Sequence, residues 1–145
     1  KRLIKTKPDL YLAQKHIKKS EYNYGVVQTL ERLKIYDWAF NVGFYAIYHC
    51  FLAILAKHGY ESRNQACTIT VLLTLINEKK LDLDKDLVTQ FDTLDVEKSI
   101  SSPTVRESRE ISTYGVETSI DLQQLKKIKE LILKVQRETI RILGE

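Results

Sequence analysis

The chain has 145 residues, a formal net charge of +4, 43% hydrophobic residues and 29% charged residues. This length suits one domain with one core, so we expect a single domain over residues 1–145. The balance of hydrophobic and charged residues excludes a disordered or fibrous chain. Only five glycines and two prolines are present, which is too little turn punctuation for an all-β sandwich and favours long helices.

The two cysteines, Cys50 and Cys67, form neither a CxxC pair nor a Cys/His zinc pattern. We interpret both as buried thiols in a reducing compartment, and we expect a cytoplasmic protein without a metal or cofactor. No apolar segment of the signal-peptide type stands near the start of the sequence, so we expect no signal peptide.

The charge is unevenly distributed along the chain. Residues 1–34 hold nine Lys/Arg against three Asp/Glu, and residues 78–98 hold seven acids against four bases. A basic segment attracts phosphates. The simpler interpretation is a solvated helix face, which is the default for exposed lysines.

The first helix is predicted to start near Pro8, because proline is tolerated in a first helical turn. Apolar residues then recur every three or four positions, which predicts one buried stripe. This stripe consists of Leu10, Ala13, Ile17, Tyr24 and Val27. The polar residues that lie off it are Lys15, Lys18, Lys19 and Glu21. Gly25 falls inside the pattern and is a candidate kink.

Residues 38–56 contain no Asp, Glu, Lys or Arg. A run of this kind approaches the length of a membrane span, roughly 20 residues. Asn41, Tyr45 and His49 dilute its hydrophobicity, and a helix that is apolar on all sides also suits the centre of a soluble bundle. We therefore expect a buried central helix and no membrane span.

Capping residues place the next boundaries. Gly59 is the expected C-cap of the central helix, with Lys57 and His58 in its last turn. Ser62 and Gln65 form a capping box that predicts the start of a third helix. The predicted buried face of that helix is Ala66, Ile69, Leu73 and Ile76.

The sequence Leu81-Asp82-Leu83-Asp84 is expected to break the third helix, and Asp84 to cap a short one. The short helix carries Leu87, Phe91 and Leu94. Residues 99–103 predict a turn, and Pro103 suits the first turn of a further helix. That further helix carries Val105, Arg106, Arg109 and Ile111 and is expected to fray at Tyr114-Gly115.

A last helix is predicted to begin at Asp121 as N-cap, with Gln124 at N3 and a hydrophobic staple between Ile120 and Leu125. Its buried stripe is Leu125, Ile128, Ile132, Val135 and Ile142, and Gly144 ends it. The whole pattern predicts an all-α protein, a four- to five-helix up-and-down bundle.

Several short motifs, in this order and spacing, resemble those of the HEPN (higher eukaryote and prokaryote nucleotide-binding) family. The central motif is Phe44-Tyr45-Ala46-Ile47-Tyr48-His49, flanked by Asp37-Trp38-Ala39 and by Lys57-His58-Gly59. The capped start of the third helix is Ser62-Arg63-Asn64-Gln65, and the late motif runs from Arg106 through Arg109 to Tyr114-Gly115. The resemblance covers most of the chain.

The resemblance implies a helical bundle that forms a side-by-side homodimer, with the late-helix arginines of both protomers facing a shared cleft. In ribonuclease members of the family, a His follows the Arg after four to six residues and acts as base on a ribose 2′-hydroxyl, without a metal. Other members pair with a small nucleotidyltransferase, either as its binding subunit or as a toxin that nucleotide transfer to a Tyr silences.

This sequence departs from the ribonuclease motif. Tyr114 follows Arg109, and no His occurs after His58. Tyr has an ordinary pKa near ~10 against ~6.5 for His, so it is a poor general base at neutral pH. Its phenol can donate a hydrogen bond and its ring can stack on a base. The departure favours binding over cleavage.

The candidate nucleotide- or phosphate-binding residues are therefore Arg106, Arg109 and Tyr114. The two arginines are three residues apart and share a helix face, whereas Arg109 and Tyr114 are separated by about 140° on an ideal helix. The structural alternative for the arginines is ion pairing with Glu107 or Glu110. For Tyr114 the alternative is a helix-end aromatic packed on the core.

For the histidines and for two tyrosines of the central helix, the sequence predicts a structural role more strongly than a catalytic one. Tyr45, Tyr48 and His49 are expected to pack in the core with hydrogen-bonded tips. Burial would lower the pKa of His49, but a lone histidine has no catalytic partner. His16 and His58 are expected on the surface.

Three functions remain open at this point. The leading hypothesis is a non-catalytic homodimeric module that binds a nucleotide or RNA and partners a small nucleotidyltransferase. The rival is a metal-independent ribonuclease or toxin of a toxin–antitoxin pair with a degenerate motif. The third is a structural adaptor whose dimer face is its function.

Overall fold

The computed structural model describes residues 3–94 and 120–145. Within this part of the chain, the elements are β1 (Leu3–Lys5), α1 (Leu10–Arg32), α2 (Tyr36–His58), β2 (Tyr60–Ser62), α3 (Gln65–Asn77), α4 (Lys85–Asp92) and α5 (Leu122–Leu143). The prediction of an all-α helical bundle is confirmed. The predicted turn at 99–103 and the helix after it lie outside the described residues.

Helices α1 and α2 form an antiparallel hairpin. The side chain of Asp9 accepts a hydrogen bond from the backbone N–H of Leu12 and so caps the start of α1. At the same end of the hairpin, the N–H of Asp9 donates to the carbonyl of Ala56 near the end of α2, at 2.8 Å. The hairpin turns at Lys34, which adopts a left-handed backbone conformation with φ of 62°.

Helix α2 is the central helix of the bundle and is buried on most of its surface. Phe44 and Phe51 are fully buried and both contact the ring of Phe91 from α4, at centroid distances of 4.8 and 5.1 Å. Aromatic pairs at these distances add to the stability from burial alone. The predicted buried central helix is thus the element around which the others pack.

Helix α5 packs against α2 at Gly43. A Cβ atom at Gly43 would lie 3.2 Å from the Cδ1 of Ile132, so a side chain there would require Ile132 to shift by a few tenths of an ångström. The α5 stripe predicted from the sequence is buried throughout. Lys57 on α2 donates to the carbonyl of Ile142, and Lys129 on α5 pairs with Glu31 on α1 at 2.5 Å. Helix α5 therefore runs parallel to α2 and antiparallel to α1.

The helix boundaries agree with most of the predicted caps. Asp121 and Gln124 form the reciprocal capping box at the start of α5, and Asp84 caps α4. Gly59 ends α2 in the left-handed conformation with φ of 83°. A side chain at Gly59 would also meet the carbonyl oxygen of Thr6 at 2.7 Å, because the chain leaving β1 passes close by.

The predicted capping box at Ser62 and Gln65 is wrong. Ser62 belongs to β2, which pairs antiparallel with β1 and opposes Leu3, and the sequence analysis did not predict this strand pair. Helix α3 is capped by Asn64, whose side chain accepts from the N–H of Cys67 at 2.7 Å. The strand pair takes Ser62 out of the cap position.

Two predicted buried faces also need correction. Leu10 is 47% exposed because it is the first residue of α1, although Ala13, Ile17 and Val27 of the same stripe are buried. On α3, Ala66 is exposed, whereas Leu72 is fully buried. Helix α3 is apolar on most sides, so its periodicity does not identify the buried side.

By length and composition, α2 is the one helix in the described residues that could cross a membrane. Its most apolar stretch is 67% buried inside the bundle. The core helix of a soluble protein has the same composition.

Candidate functional site

The three residues that the sequence predicts as a phosphate site, Arg106, Arg109 and Tyr114, lie outside the described residues. The same holds for Glu107 and Glu110, the acids that would pair with the arginines in the structural alternative. These predictions stand as made. The described parts of the bundle contain two other polar arrangements that bear on function.

The aromatic motif of α2 divides between core and surface. Phe44 is fully buried, and the ring of Tyr48 lies parallel to that of Phe91 at 6.2 Å. The hydroxyl of Tyr48 lies 3.5 Å from that of Thr68 on α3. Tyr45 turns outward and is 41% exposed. Core packing was expected for both tyrosines. Tyr48 does pack against the core, but the prediction is wrong for Tyr45, which is exposed.

The first arrangement is a pair of histidines between α1 and α2. The Nδ1 atoms of His16 and His49 are 3.0 Å apart, and the ring centroids are 5.2 Å apart. At this distance one ring donates a proton and the other accepts it. His16 was expected on the surface, but it is half-buried because α2 covers it. His49 was treated as a lone histidine, and His16 is its partner.

The surroundings of the pair keep it uncharged. Burial lowers the pKa of His49 to about 4, and repulsion from His16 and Lys19 contributes to the same shift. Burial also lowers the pKa of His16. At neutral pH both rings are therefore uncharged, and one N–H proton lies between the two Nδ1 atoms. The antiparallel register of the hairpin, in which Asp9 meets Ala56, is the feature that brings positions 16 and 49 together.

A buried polar cluster lies one turn along from the histidines. The hydroxyl of Ser20 donates to the carbonyl of Ala46 at 2.7 Å, accepts from the side-chain amide of Gln136 at 3.0 Å, and lies 3.2 Å from the thiol of Cys50. Burial raises the pKa of Cys50 to about 11, so the thiol stays protonated and is a poor nucleophile. This cluster joins α1, α2 and α5 and fixes their register.

The second arrangement is a basic and aromatic surface on α1. We call Tyr11, Lys15, Lys18, Lys19 and Tyr22 the α1 stripe. Its tyrosines are 70% and 66% exposed. The ammonium of Lys15 lies 4.6 Å from the ring centroid of Tyr11, and that of Lys19 lies 5.0 Å from that of Tyr22. These are cation–π distances.

The lysines of the α1 stripe have no carboxylate within ion-pair distance in the described parts of the chain, where ion pairs involve other cations. Among the described residues, no acid therefore neutralises their charge. The lysines were predicted on the solvent side, whereas the two tyrosines were not predicted as part of this surface. The spacing of 11, 15, 18 and 22, which alternates four and three, would have identified them as one helix face.

A cavity of about 540 Å³ opens beside the histidine pair. It lies between the start of α1, the end of α2 and strand β2, and its walls include His16, Leu52, Tyr60 and Glu61. Within residues 3–94 and 120–145, no group of three or more His, Cys, Asp or Glu side chains is arranged to hold a metal ion.

A comparison with known proteins finds no family model that matches the chain and no curated protein that matches it significantly. The site's geometry and the sequence motifs are therefore the basis for any functional assignment.

Proposed function

We propose that this chain is a HEPN-like helical domain that binds nucleotides or RNA through phosphate contacts, works as a homodimer and has no catalytic activity of its own. A small nucleotidyltransferase is its candidate protein partner, and the cytoplasm its expected location. The observation that carries the proposal is the α1 stripe, which combines lysines and exposed tyrosines on one helix face. Within residues 3–94 and 120–145, these lysines have no carboxylate partner.

The chemistry of the α1 stripe suits a single strand of nucleic acid. Lysines contact the phosphates, and exposed aromatic rings stack on unpaired bases without regard to sequence. From Tyr11 to Tyr22 the helix rises about 17 Å, so a strand of several nucleotides could follow it. Such binding weakens as the salt concentration rises, because counterions return to the phosphates.

The late motif adds a second cationic element. Arg106 and Arg109 share a helix face if this segment is helical, and two guanidinium groups side by side favour an anion between them. Tyr114 in place of the family's His leaves hydrogen bonding and stacking but removes the general base. The combination supports binding without strand cleavage.

A titration of labelled RNA tests the proposal. We expect the wild-type protein to raise the fluorescence anisotropy of a short fluorescein-labelled oligouridylate at low salt, with an affinity that falls steeply with added salt. The double variant Lys15→Ala/Lys18→Ala should weaken binding roughly tenfold or more, and Tyr11→Ala/Tyr22→Ala should cost about 1–3 kcal/mol per stacked base. Arg109→Ala should weaken binding as well.

The matched control removes the same charge elsewhere. Lys126 and Lys134 are exposed lysines on α5, so Lys126→Ala/Lys134→Ala lowers the net charge equally without touching α1. This control should bind close to wild type. Equal losses in both double variants would show that binding depends on net charge alone and not on the α1 stripe. A wild-type protein that binds neither RNA nor nucleotides would refute the proposal.

The ribonuclease alternative is tested in the same samples. It predicts RNA fragments with 2′,3′-cyclic phosphate ends that form in the presence of EDTA and disappear in Arg109→Ala. If the proposed function is correct, the protein should bind RNA and leave every RNA in a broad panel intact.

A further inference from the structure

One member of the histidine pair, His16, lies on the same helix as the α1 stripe. With 100° per residue, Tyr11, Lys15, Lys18 and Tyr22 fall within about 60° of one another, and Lys19 lies about 40° beyond Lys15. His16 follows Lys19 by about another 60°, at the edge where α1 meets α2. Lys19 is thus the member of the stripe that lies nearest in angle to His16, and its charge acts on His49.

The neutral pair can gain one proton without losing its internal hydrogen bond. In the neutral state the donor ring has a bare Nε2, and the acceptor ring carries its proton on Nε2. A proton taken up by the bare Nε2 gives the pair one positive charge and a third N–H, while the hydrogen bond between the two Nδ1 atoms, at 3.0 Å, persists. A second added proton would place two hydrogens between the Nδ1 atoms and break the contact.

We infer that the His16–His49 pair is a further phosphate contact beside the α1 stripe, and that it takes up one proton when a phosphodiester polyanion binds. This inference rests on the proposed function, because the polyanion is the RNA that the stripe would hold. The lowered pKa of both rings keeps the unbound pair neutral at neutral pH. A phosphate near Lys19 screens the lysine's repulsion and attracts the added proton, and both effects raise the pKa of the pair.

Apart from His16, Lys19 is the charged group whose repulsion lowers the pKa of His49. The titratable and charged residues near it are Lys15 and Lys19 on α1, Tyr45, Tyr48 and Cys50 on α2, and Lys7, Asp9, Tyr60 and Glu61 around the adjoining cavity. Helix α2 has no carboxylate between residues 38 and 56. From α5, the uncharged Gln136 reaches this region through Ser20. Asp9 is engaged in capping α1.

The experiment measures binding of the labelled oligouridylate at two pH values. One linked proton changes affinity by up to about tenfold per pH unit, so we expect the wild type to bind on the order of tenfold more tightly at about pH 5.5 than at about pH 8. His16→Gln and His49→Gln should lose most of the gain in acid. His58→Gln, which changes a histidine at the end of α2, should keep the full gain.

The outcomes separate the inference from the proposed function. Equal wild-type affinity at both pH values, or an undiminished acid gain in both pair variants, would overturn the inference while leaving RNA binding intact. No binding at either pH would overturn both. Calorimetry on the wild type in two buffers of different ionisation enthalpy measures proton uptake directly, so the test does not depend on the variants' folding. Uptake near zero at about pH 6 would refute the inference even where binding is strong.

Discussion

At the scale of single residues, the histidine pair makes stability depend on pH. The folded-state pKa of His49 is lowered from 6.5 to about 4. Between these values the unfolded chain binds more protons than the folded chain, so acid favours unfolding. The stabilising effect of the neutral ring is complete above about pH 6.5 and is lost as the pH falls towards 4.

We therefore expect His49→Gln to flatten the pH dependence of unfolding. In urea titrations, the wild type should lose on the order of 1 kcal/mol more than His49→Gln between about pH 7 and pH 4.5, a figure discounted because the ring is only half-buried. Carboxylates titrate equally in both proteins and cancel in the comparison. Parallel stability curves for the two proteins would show that the ring is solvated in the folded state.

The two thiols should differ in reactivity. Cys50 is fully buried, its pKa is raised to about 11, and it contacts Ser20. Cys67 is only partly buried on α3. Since the thiolate is the reactive species, we expect one fast and one slow thiol with an aromatic disulfide reagent, and two fast thiols in denaturant. Cys67→Ser should remove the fast phase, and rapid labelling of Cys50 in the folded protein would contradict its burial.

At the scale of elements, the start of α3 gives a direct test of the corrected cap. Asn64 accepts from the N–H of Cys67, whereas Ser62 lies in β2 and donates to the carbonyl of Asn64 at 2.9 Å. Asn64→Ala should lower the free energy of unfolding by about 1 kcal/mol. Ser62→Ala should lower the free energy of unfolding distinctly less. A larger loss in Ser62→Ala than in Asn64→Ala would show that Ser62 is the N-cap, as the sequence suggested.

The sequence predicted elements best where one local interaction decides them. The caps at Asp84 and Asp121 and the left-handed Gly59 follow from residue type and position, and the structure has all three. The amphipathic α5 follows from its periodicity. The β1–β2 pair was missed because each strand has three residues and exists only through the other, over 50 residues away in sequence. Such pairing produces no local sequence pattern from which the strands could be predicted.

In the candidate site too, features decided by local sequence were predicted and features decided by contacts between helices were not. The prediction that Lys15, Lys18 and Lys19 face solvent is correct, because charged side chains outside the apolar stripe of a helix are rarely buried. The His16–His49 contact depends on the register between two helices, which the polar cluster of Ser20, Cys50 and Gln136 helps to fix. No periodicity within either helix reports that register, so the partner of His49 could only be found in the folded chain.

At the scale of the whole molecule, the proposed function requires a second copy of the chain. Leu33 and Trp38 flank the turn between α1 and α2 and are 63% and 45% exposed, with Ile35 also exposed between them. We call these three residues the turn patch. Large apolar side chains grouped on a surface favour contact with another protein surface. The turn patch is thus a place where two protomers could pack.

We expect sedimentation equilibrium to give twice the chain mass of 16.9 kDa at micromolar concentration. Trp38 is the chain's single tryptophan, so its emission should shift to shorter wavelength as the dimer forms and buries the indole. If the turn patch is the interface, Leu33→Ser should yield a monomer with solvent-exposed tryptophan emission. Leu133→Ser, which changes an exposed leucine of α5, should remain dimeric. A monomeric wild type would rule out the shared cleft that the family resemblance implies for Arg106 and Arg109. A dimer unaffected by Leu33→Ser would place the interface away from this turn.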